Sequence, residues 1–248
     1  MEHTPLSTEQ IEHAARLLVT TRRAITRIDD LGALEPQDDA TAERISDAVA
    51  RLLGWDVVGW KIGCTSVLAQ EMLASPGPFA GRIFEGTVYQ SGVVDRDAII
   101  APLLEGEFAF VLGDDLPPRA APYEVADVRA ATRAVAPAIE LVSARFTDMT
   151  TVGYRSLIAD SAINAGVILG EPVELSDVPE LRDVEVTMHV EGREVGRGTG
   201  ADILGDPWDA LTWLANHLSA RGIGLHSDTF VLSGTCTGAP LLPGGSTA

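Results

Sequence analysis

The sequence lacks the features that mark membrane and secreted proteins. No apolar run approaches the roughly 20 residues that a helix needs to cross a bilayer. The first residues lack the positive and apolar regions of a signal peptide. Only two cysteines are present, Cys64 and Cys236, with no CxxC motif, so no disulfide framework is expected. These absences predict a cytoplasmic protein with reduced thiols and no membrane partner.

Positive charge is also scarce. The chain of 248 residues has 18 lysines and arginines against 36 acidic residues, a net charge of -18. Nucleic-acid binding requires basic stripes, and the sequence has none, which argues against a nucleic-acid partner. An enzyme this acidic that binds a carboxylate needs a local positive centre, from a metal ion or a basic side chain. The same charge also suits a protein that it merely keeps soluble.

The N-terminal part has the pattern of helices. Ser7 and Gln10 have the spacing of a capping box, and apolar residues follow at helical period. A second helix is predicted over residues 41–53, with Gly54 as its C-cap. We therefore predict an N-terminal helical region over residues 1–54 and a domain of different character over residues 55–248.

The second region is rich in short strand-like runs separated by glycine, proline and aspartate. The predicted strands are 107–112, 138–142, 166–169, 184–190 and 229–233. Glu191 and Gly192 suggest a hairpin turn, and helices are predicted over 124–134 and 207–220. Because strands outnumber helices and do not alternate with them, the pattern predicts an α+β fold with a twisted or rolled sheet.

Three glutamates are the strongest candidates for a functional site. Glu105 and Glu107 point to one face if their segment is a strand, because side chains alternate with period two. Glu140 is a lone acid inside an apolar run. Burying such carboxylates is costly without a cation, and an oxygen-only donor set suits Mg²⁺ or Mn²⁺ better than zinc. The alternative is that Glu105 and Glu107 lie on the exposed face of an edge strand.

Three further residues are candidates for contacts with a substrate. Lys61 lies in an apolar strand between two glycines, where it either extends to the surface or binds a carboxylate and moves a proton. Arg82 either binds a distal carboxylate or is a surface residue. Thr237 either binds substrate through its hydroxyl or simply completes a strand.

Seven short segments stand out over roughly residues 55–240. They are 59–66 (GWKIGCTS), 104–110 (LEGEFAF), 137–140 (PAIE), 160–166 (DSAINAG), 205–207 (GDP), 213–216 (WLAN) and 232–238 (LSGTCTG). In this order they resemble the motifs of the 2-keto-4-pentenoate hydratase/4-oxalocrotonate decarboxylase family, within the fumarylacetoacetate hydrolase superfamily.

The resemblance implies a mixed β-roll of the fumarylacetoacetate hydrolase C-terminal-domain type, an Mg²⁺ or Mn²⁺ ion and a homo-oligomer. By the same resemblance, Glu105, Glu107 and Glu140 are the metal ligands. Lys61 becomes a substrate-binding and proton-handling residue, and Asp160 a general base or a residue that orients Lys61.

The implied function is that of a metal-dependent lyase, which adds water to a 2-hydroxy-2,4-dienoate through a metal-stabilised enolate. Decarboxylation of a 4-oxalocrotonate-type 2-oxo acid is one alternative. C–C bond hydrolysis of an acylpyruvate is another, and it would need a base, for which His189, His217 and His226 show no pairing. A non-enzymatic alternative is an inactive assembly partner of a related enzyme.

Two departures from the family pattern concern the addition of water. Active hydratases of the family carry a serine where this chain has Ile163, and an acid within the stretch that corresponds to residues 75–81, which has none here. Both differences weaken the case for hydration more than they weaken the case for the metal site.

Overall fold

The computed structural model describes residues 5–89, 94 and 98–242. Six α-helices form within these residues. Their bounds are α1 Thr8–Ala24, α2 Asp39–Leu53, α3 Val67–Leu73, α4 Val125–Ala131, α5 Gly153–Ala159 and α6 Pro207–Ala220. None of the helices in this part of the chain is both long and apolar enough to span a membrane.

The same residues form ten β-strands. Their bounds are β1 Val57–Gly63, β2 Phe79–Phe84, β3 Val88–Tyr89, β4 Leu103–Leu112, β5 Thr132–Val142, β6 Asn164–Leu169, β7 Val173–Glu174, β8 Glu185–Val190, β9 Arg193–Thr199 and β10 Phe230–Leu232. Eight of them form a curled mixed sheet in the order β2-β1-β10-β4-β5-β6-β3, with β7 paired to β5. Strands β8 and β9 form a separate hairpin. This architecture confirms the predicted α+β fold.

The N-terminal helices form where the capping pattern predicts them. The Ser7 hydroxyl accepts from the Gln10 amide, and the Gln10 side chain accepts from the Ser7 amide. Gly54 ends α2 at φ 65°, a backbone conformation that glycine adopts without steric cost. The apolar stripes of α1 and α2 pack on α5, with Leu18, Ile45 and Leu157 among the buried residues. Each such side chain contributes about 1.5–3 kcal/mol when fully buried.

The N-terminal helices share apolar contacts with the rest of the chain. The division of the chain at residue 54 stays a prediction. Phe79 and Phe84 of β2 belong to the same buried cluster as the stripes of α1 and α2. This packing brings the N-terminal helices close to the strands that carry the candidate site.

The two faces of β4 have different roles. Phe108 and Phe110 pack into the core formed with α6, where the Phe110 ring lies 4.7 Å from that of Trp208. The alternate residues, which include Glu105 and Glu107, point to the opposite face because successive side chains of a strand alternate. The face with Phe108 and Phe110 thus fixes β4 in the core, and the opposite face carries the candidate site residues.

Some local predictions differ from the structure. The helix predicted over 124–134 ends at Ala131, and Thr132 already begins β5. Strand β5 pairs with β4 along its whole length, and this pairing makes residues 132–134 a strand despite their helical pattern. The helices α3 and α5 were not predicted. The hairpin turn at Glu191 and Gly192 is confirmed, and both residues have positive φ values, 50° and 71°.

Candidate metal and active site

Three carboxylates converge on one face of the sheet. Glu105 and Glu107 lie on β4, and Glu140 lies on the neighbouring strand β5, directly opposite Glu105 in the register. One carboxylate oxygen from each of the three residues lies within 4.8 Å of the others. The sequence predicted this set because Glu105 and Glu107 share one face of a strand and because Glu140 is a lone acid in an apolar run. Antiparallel pairing of β4 with β5 brings its members together.

Burial makes this cluster costly without a cation. Glu140 is 0% exposed and Glu107 is 2% exposed. Burial, reinforced by the neighbouring acids, raises the pKa of Glu107 well above its ordinary value. The pKa of Glu105 rises to about 7, chiefly through burial and against the opposing effect of Lys61. Carboxyls that resist ionisation in this way are ionised readily only when a positive ion is bound.

One oxygen atom of the cluster lacks a hydrogen-bond donor. Glu107 Oε2 accepts from the Gly234 amide at 2.7 Å, and Glu140 Oε1 accepts from Asn164 Nδ2 at 2.9 Å. Glu107 Oε1 is buried and accepts no hydrogen bond from the residues that the structure describes, and Glu140 Oε2 faces the Lys61 ammonium at 3.3 Å. Buried polar atoms are normally satisfied, so Glu107 Oε1 fits a ligand position of a hard divalent ion, with Glu140 Oε2 beside it.

Lys61 lies beside the carboxylates and is the only lysine of the chain. It is 3% exposed, and its Nζ is 3.3 Å from Glu140 Oε2. Burial alone would lower the pKa of Lys61, but the negative charges of Glu140, Glu105 and Glu107 outweigh that effect and raise it. In the metal-free site Lys61 is therefore a buried ammonium that offsets part of the negative charge.

A glycine on the strand next to Lys61 makes room for a buried turn. Gly81 of β2 is the strand partner of Lys61. A Cβ atom at Gly81 would lie 2.3 Å from the carbonyl oxygen of Ser161. Ser161, Ala162 and Ile163 form a turn in which all three residues have positive φ, between 50° and 57°. For a β-branched residue such as Ile163 this conformation is a genuine outlier, and close packing on Gly81 holds it in place.

Thr237 supports β4, the strand that carries Glu105 and Glu107. Its Oγ1 accepts a hydrogen bond from the amide of Gly106, which lies between Glu105 and Glu107, at 3.0 Å. Ser233 Oγ accepts likewise from the Phe108 amide at 3.1 Å. The segment of residues 232–238 therefore fixes β4 through side chains as well as backbone. The proposed contact of Thr237 with substrate stays a prediction.

The structure places Asp160 in a buried cluster with two arginines. Its carboxylate accepts from Arg145 Nε at 2.7 Å and lies 3.8 Å from Arg22 Nη2. Lys61 pairs instead with Glu140. Because both carboxylate oxygens of Asp160 accept hydrogen bonds from Arg145, this arrangement favours a positioning role for Asp160 over that of a general base.

Arg82 lies on the other face of the sheet from Lys61. It is paired in the register with Trp60, and its guanidinium lies 4.8 Å from the Trp60 ring centre. Its Nη2 also donates to Asp47 of α2 at 2.6 Å. Because Trp60 and Lys61 are neighbours on β1, their side chains point to opposite faces. The predicted role of Arg82 in substrate binding therefore gains no support from a contact with the carboxylate cluster.

The three histidines considered for a hydrolase also lie away from the carboxylates. His217 pairs with Glu43 at 2.8 Å and stacks on Trp213. His189 and His226 are exposed. These placements give acylpyruvate hydrolysis no histidine base beside the three glutamates.

Two contributors to the site were missed in the sequence. They are Asn164, which donates to Glu140, and the backbone amide of Gly234, which donates to Glu107. Asn164 stands as a polar residue where a buried strand begins, which was an available signal. No local pattern identifies the amide, because it reaches Glu107 from 127 residues further along the chain.

A curled mixed sheet that carries a buried oxygen-only carboxylate centre beside one lysine defines a class of divalent-metal enzymes. The family described as fumarylacetoacetate (FAA) hydrolase C-terminal matches residues 82–247. The chain belongs to this family, which confirms the family and fold predicted from the sequence.

Individual relatives narrow the enzyme class. The chain is 34% identical to the 2-keto-4-pentenoate hydratase of Burkholderia vietnamiensis, over 80% of this chain and 77% of the relative. It is 32% identical to the 4-oxalocrotonate decarboxylase of Pseudomonas sp. CF600, over 77% and 72%. The structure of 4-oxalocrotonate decarboxylase from Pseudomonas putida G7, complexed with magnesium and adipate, superposes with a TM-score of 0.90 at 27% identity, covering 98% and 94%. These relatives support a metal-dependent hydratase or decarboxylase.

Proposed function

We propose that the chain is a lyase that acts on a small 2-oxo or 2-hydroxydienoic acid, with Glu105, Glu107 and Glu140 as the ligands of an Mg²⁺ or Mn²⁺ ion. The observation that carries the proposal is the convergence of three carboxylates, which include a buried Glu107 oxygen that accepts no hydrogen bond within the described residues. The magnesium and adipate in the related decarboxylase structure support the same pairing of a divalent ion with an organic acid.

A divalent ion at these glutamates would supply Lewis-acid polarisation to the 2-oxo end of the substrate. The chain itself supplies Lys61, whose Nζ lies 3.3 Å from Glu140 Oε2. Since the pKa of Lys61 is raised, this side chain acts as a cation or a proton donor rather than as a base. It neutralises the substrate carboxylate or delivers a proton to a substrate carbon.

Hydration is the reaction we place first. The chain is 34% identical to a 2-keto-4-pentenoate hydratase over 205 residues. The turn that carries Ile163 still offers a hydroxyl two residues earlier, at Ser161. Ser161 Oγ is buried and has no hydrogen-bond partner among the described residues. The backbone of its turn packs on Gly81, the strand partner of Lys61.

Decarboxylation is the second candidate, and a specific observation favours it. Ile163 is buried and apolar, and residues 75–81 contain no acid, so two groups associated with water addition are missing. Loss of CO₂ from a vinylogous 2-oxo acid needs no activated water. It uses the same stabilised negative charge next to the carbonyl, so the three glutamates serve either reaction.

Product analysis separates the two reactions. The protein is incubated with the dienol of 2-keto-4-pentenoate or with 4-oxalocrotonate, in Mg²⁺ or in EDTA, and ultraviolet absorbance is followed. Mass spectrometry then shows whether the product has gained water or lost CO₂. We expect Mg²⁺-dependent turnover that Glu107→Gln abolishes and that Glu194→Gln, on the exposed strand β9, preserves. Turnover that is undiminished in EDTA and in Glu107→Gln would refute the metal mechanism.

Several predictions accompany this proposal. We keep a homo-oligomer and a cytoplasmic location as predictions from the sequence. We also propose that Asp160 supports the site through Arg145, and that Thr237 acts on it through Gly106. For Arg82 we retain only the possibility of a distal contact with a longer substrate, since its present partners are Asp47 and Trp60.

A further inference from the structure

Asn164 contacts the carboxylate cluster without being one of its acids. It is the first residue of β6 and is 0% exposed. Its Nδ2 donates to Glu140 Oε1 at 2.9 Å, while the other oxygen, Oε2, faces Lys61 at 3.3 Å. The hydrogen bond occupies Oε1 of Glu140, so an ion that binds this carboxylate would do so through Oε2, beside Lys61. It therefore selects which oxygen of Glu140 is available and restrains rotation of the carboxylate.

A carboxamide suits this position for an electrostatic reason. It donates a hydrogen bond but carries no charge, so it orients Glu140 without repelling a divalent ion as a second cation would. An acid at the same position would add another negative group to a cluster that already contains three. The amide therefore orients Glu140 without adding a charge to the cluster.

The backbone of Asn164 is itself held from two directions. Its carbonyl oxygen accepts from Arg22 Nη2 of α1 at 2.9 Å and from Arg145 Nη2 at 3.3 Å. Arg145 is in turn fixed by Asp160 at the end of α5. The position of the carboxamide thus depends on the N-terminal helix and on the buried arginine pair. The contacts form a continuous path from Asp160 through Arg145 and Asn164 to Glu140.

We propose that Asn164 is a positioning residue for Glu140, which holds Oε1 so that Oε2 is presented to the divalent ion. This inference rests on the proposed function, because it assigns a role toward the same metal centre. It adds to that function a residue outside the three glutamates and Lys61. Groups that orient metal ligands in this way typically contribute roughly 10–100-fold to metal affinity.

The direct test is Mn²⁺ binding by isothermal titration calorimetry with the full chain. Asn164→Ala removes the donor and should weaken Mn²⁺ binding by roughly 10–100-fold. Asn164→Leu removes the same donor but keeps a side chain that branches at Cγ, and it serves if the alanine variant does not fold. Circular dichroism and the melting temperature of the metal-free protein establish that each variant is folded.

Asn216→Ala is the matched control. The Asn216 side chain makes two hydrogen bonds with the backbone of Tyr123, and it lies on α6 away from the carboxylates. This variant loses stability through its own contacts and should bind Mn²⁺ as the wild type does. A general effect of losing a partly buried asparagine would instead weaken binding in both variants and would overturn the positioning role.

The kinetic readout separates positioning from catalysis. Asn164→Ala should raise the Mg²⁺ concentration for half-maximal turnover by a larger factor than it lowers kcat at saturating Mg²⁺. If the wild type binds Mn²⁺ and a folded Asn164 variant binds it equally well, the positioning role is wrong and the metal site stands. If the wild type binds no Mn²⁺, the proposed function fails and this inference fails with it.

Discussion

Glu105 and Glu140 lie directly opposite each other on the antiparallel strands β4 and β5. Like charges at such a pair of positions destabilise a sheet, and here a third acid, Glu107, lies beside them. Lys61 supplies a single compensating charge. The arrangement leaves an excess of negative charge in a buried region, and this excess is what a divalent ion would neutralise.

Metal removal is the first test of this relationship. We expect Mg²⁺ or Mn²⁺ at about 100 times its dissociation constant to stabilise the fold by about 2.7 kcal/mol. For a chain of this size that corresponds to a rise in melting temperature of roughly 5–10 °C. Differential scanning fluorimetry with added ion or EDTA measures it. Glu107→Gln should remove most of the rise and Glu194→Gln should retain it, whereas equal melting temperatures in ion and EDTA would contradict the site.

The pH dependence of that stabilisation follows from the raised pKa of Glu105. Its carboxyl has a pKa of about 7 in the folded metal-free protein, against an ordinary 4.5, chiefly because of burial. An acid with a raised pKa in the folded state stabilises the fold when protonated, so this contribution is lost between about pH 4.5 and about pH 7. Ligands must be deprotonated to bind metal, so the benefit of Mg²⁺ grows over the same window.

Melting curves with and without Mg²⁺ across this range check the expectation. The difference in melting temperature should widen as the pH rises through the window and then level off. Glu105→Gln removes this titration and should flatten the pH dependence of the metal-free protein. A Mg²⁺ effect of constant size from acid to neutral pH would show that the carboxyls bind no ion in competition with protons.

Lys61 allows a spectroscopic test because it is the only lysine of the chain. Protein labelled with ¹³C-lysine should give one Cε signal. Its titration should show a pKa above the ordinary 10.5 in the metal-free protein, since the three carboxylates outweigh burial. Glu140→Gln should lower that pKa. A lysine that titrates below 10.5 in the wild type would mean that burial dominates and that the cluster is largely protonated.

How much of the site could be predicted depends on how far apart in the sequence its contacting residues lie. Glu105 and Glu107 could be placed on one face because strand alternation is local. Glu140 could be singled out because an acid in an apolar run needs a partner. The register that sets Glu105 against Glu140 depends on the connection over residues 113–131, which includes α4, and no local pattern determines it.

The remaining parts of the site depend on tertiary packing. The turn at Ser161–Ile163 runs against the conformational preference of isoleucine, and tertiary contacts such as those with Gly81 of β2 and with the Ser143 amide hold it. Asn164 reaches Glu140 across paired strands, and Gly234 reaches Glu107 from a distant segment. The fold divides in the same way: the N-cap of α1 and the C-cap of α2 are local and were predicted, whereas the start of β5 at Thr132 depends on its partner strand.

Gly81 offers a test of how tightly that turn is packed. Gly81→Ala would place a Cβ atom 2.3 Å from the Ser161 carbonyl oxygen and 2.6 Å from the Ala162 Cβ. We expect overpacking to cost about 1–3 kcal/mol of unfolding free energy, measured by urea denaturation. Gly77→Ala is the control, since a Cβ there meets no atom of the described structure within 4 Å. It should change stability by less than about 0.5 kcal/mol. Equal stabilities for the two variants would mean that the turn is not pressed against β2.

Asp160→Asn distinguishes a structural from a purely catalytic role for this acid. Asp160 is 0% exposed and accepts three hydrogen bonds from the Arg145 backbone and side chain. Neutralising it leaves a buried guanidinium without its carboxylate, which should lower the free energy of unfolding by about 3–5 kcal/mol. Glu185→Gln removes one of the two acidic partners of Arg197 on the exposed hairpin and should leave the free energy of unfolding nearly unchanged. If Asp160→Asn abolished turnover with no loss of stability and no change in Mn²⁺ affinity, Asp160 would be a catalytic base, and its pairing with Arg145 would not be its main role.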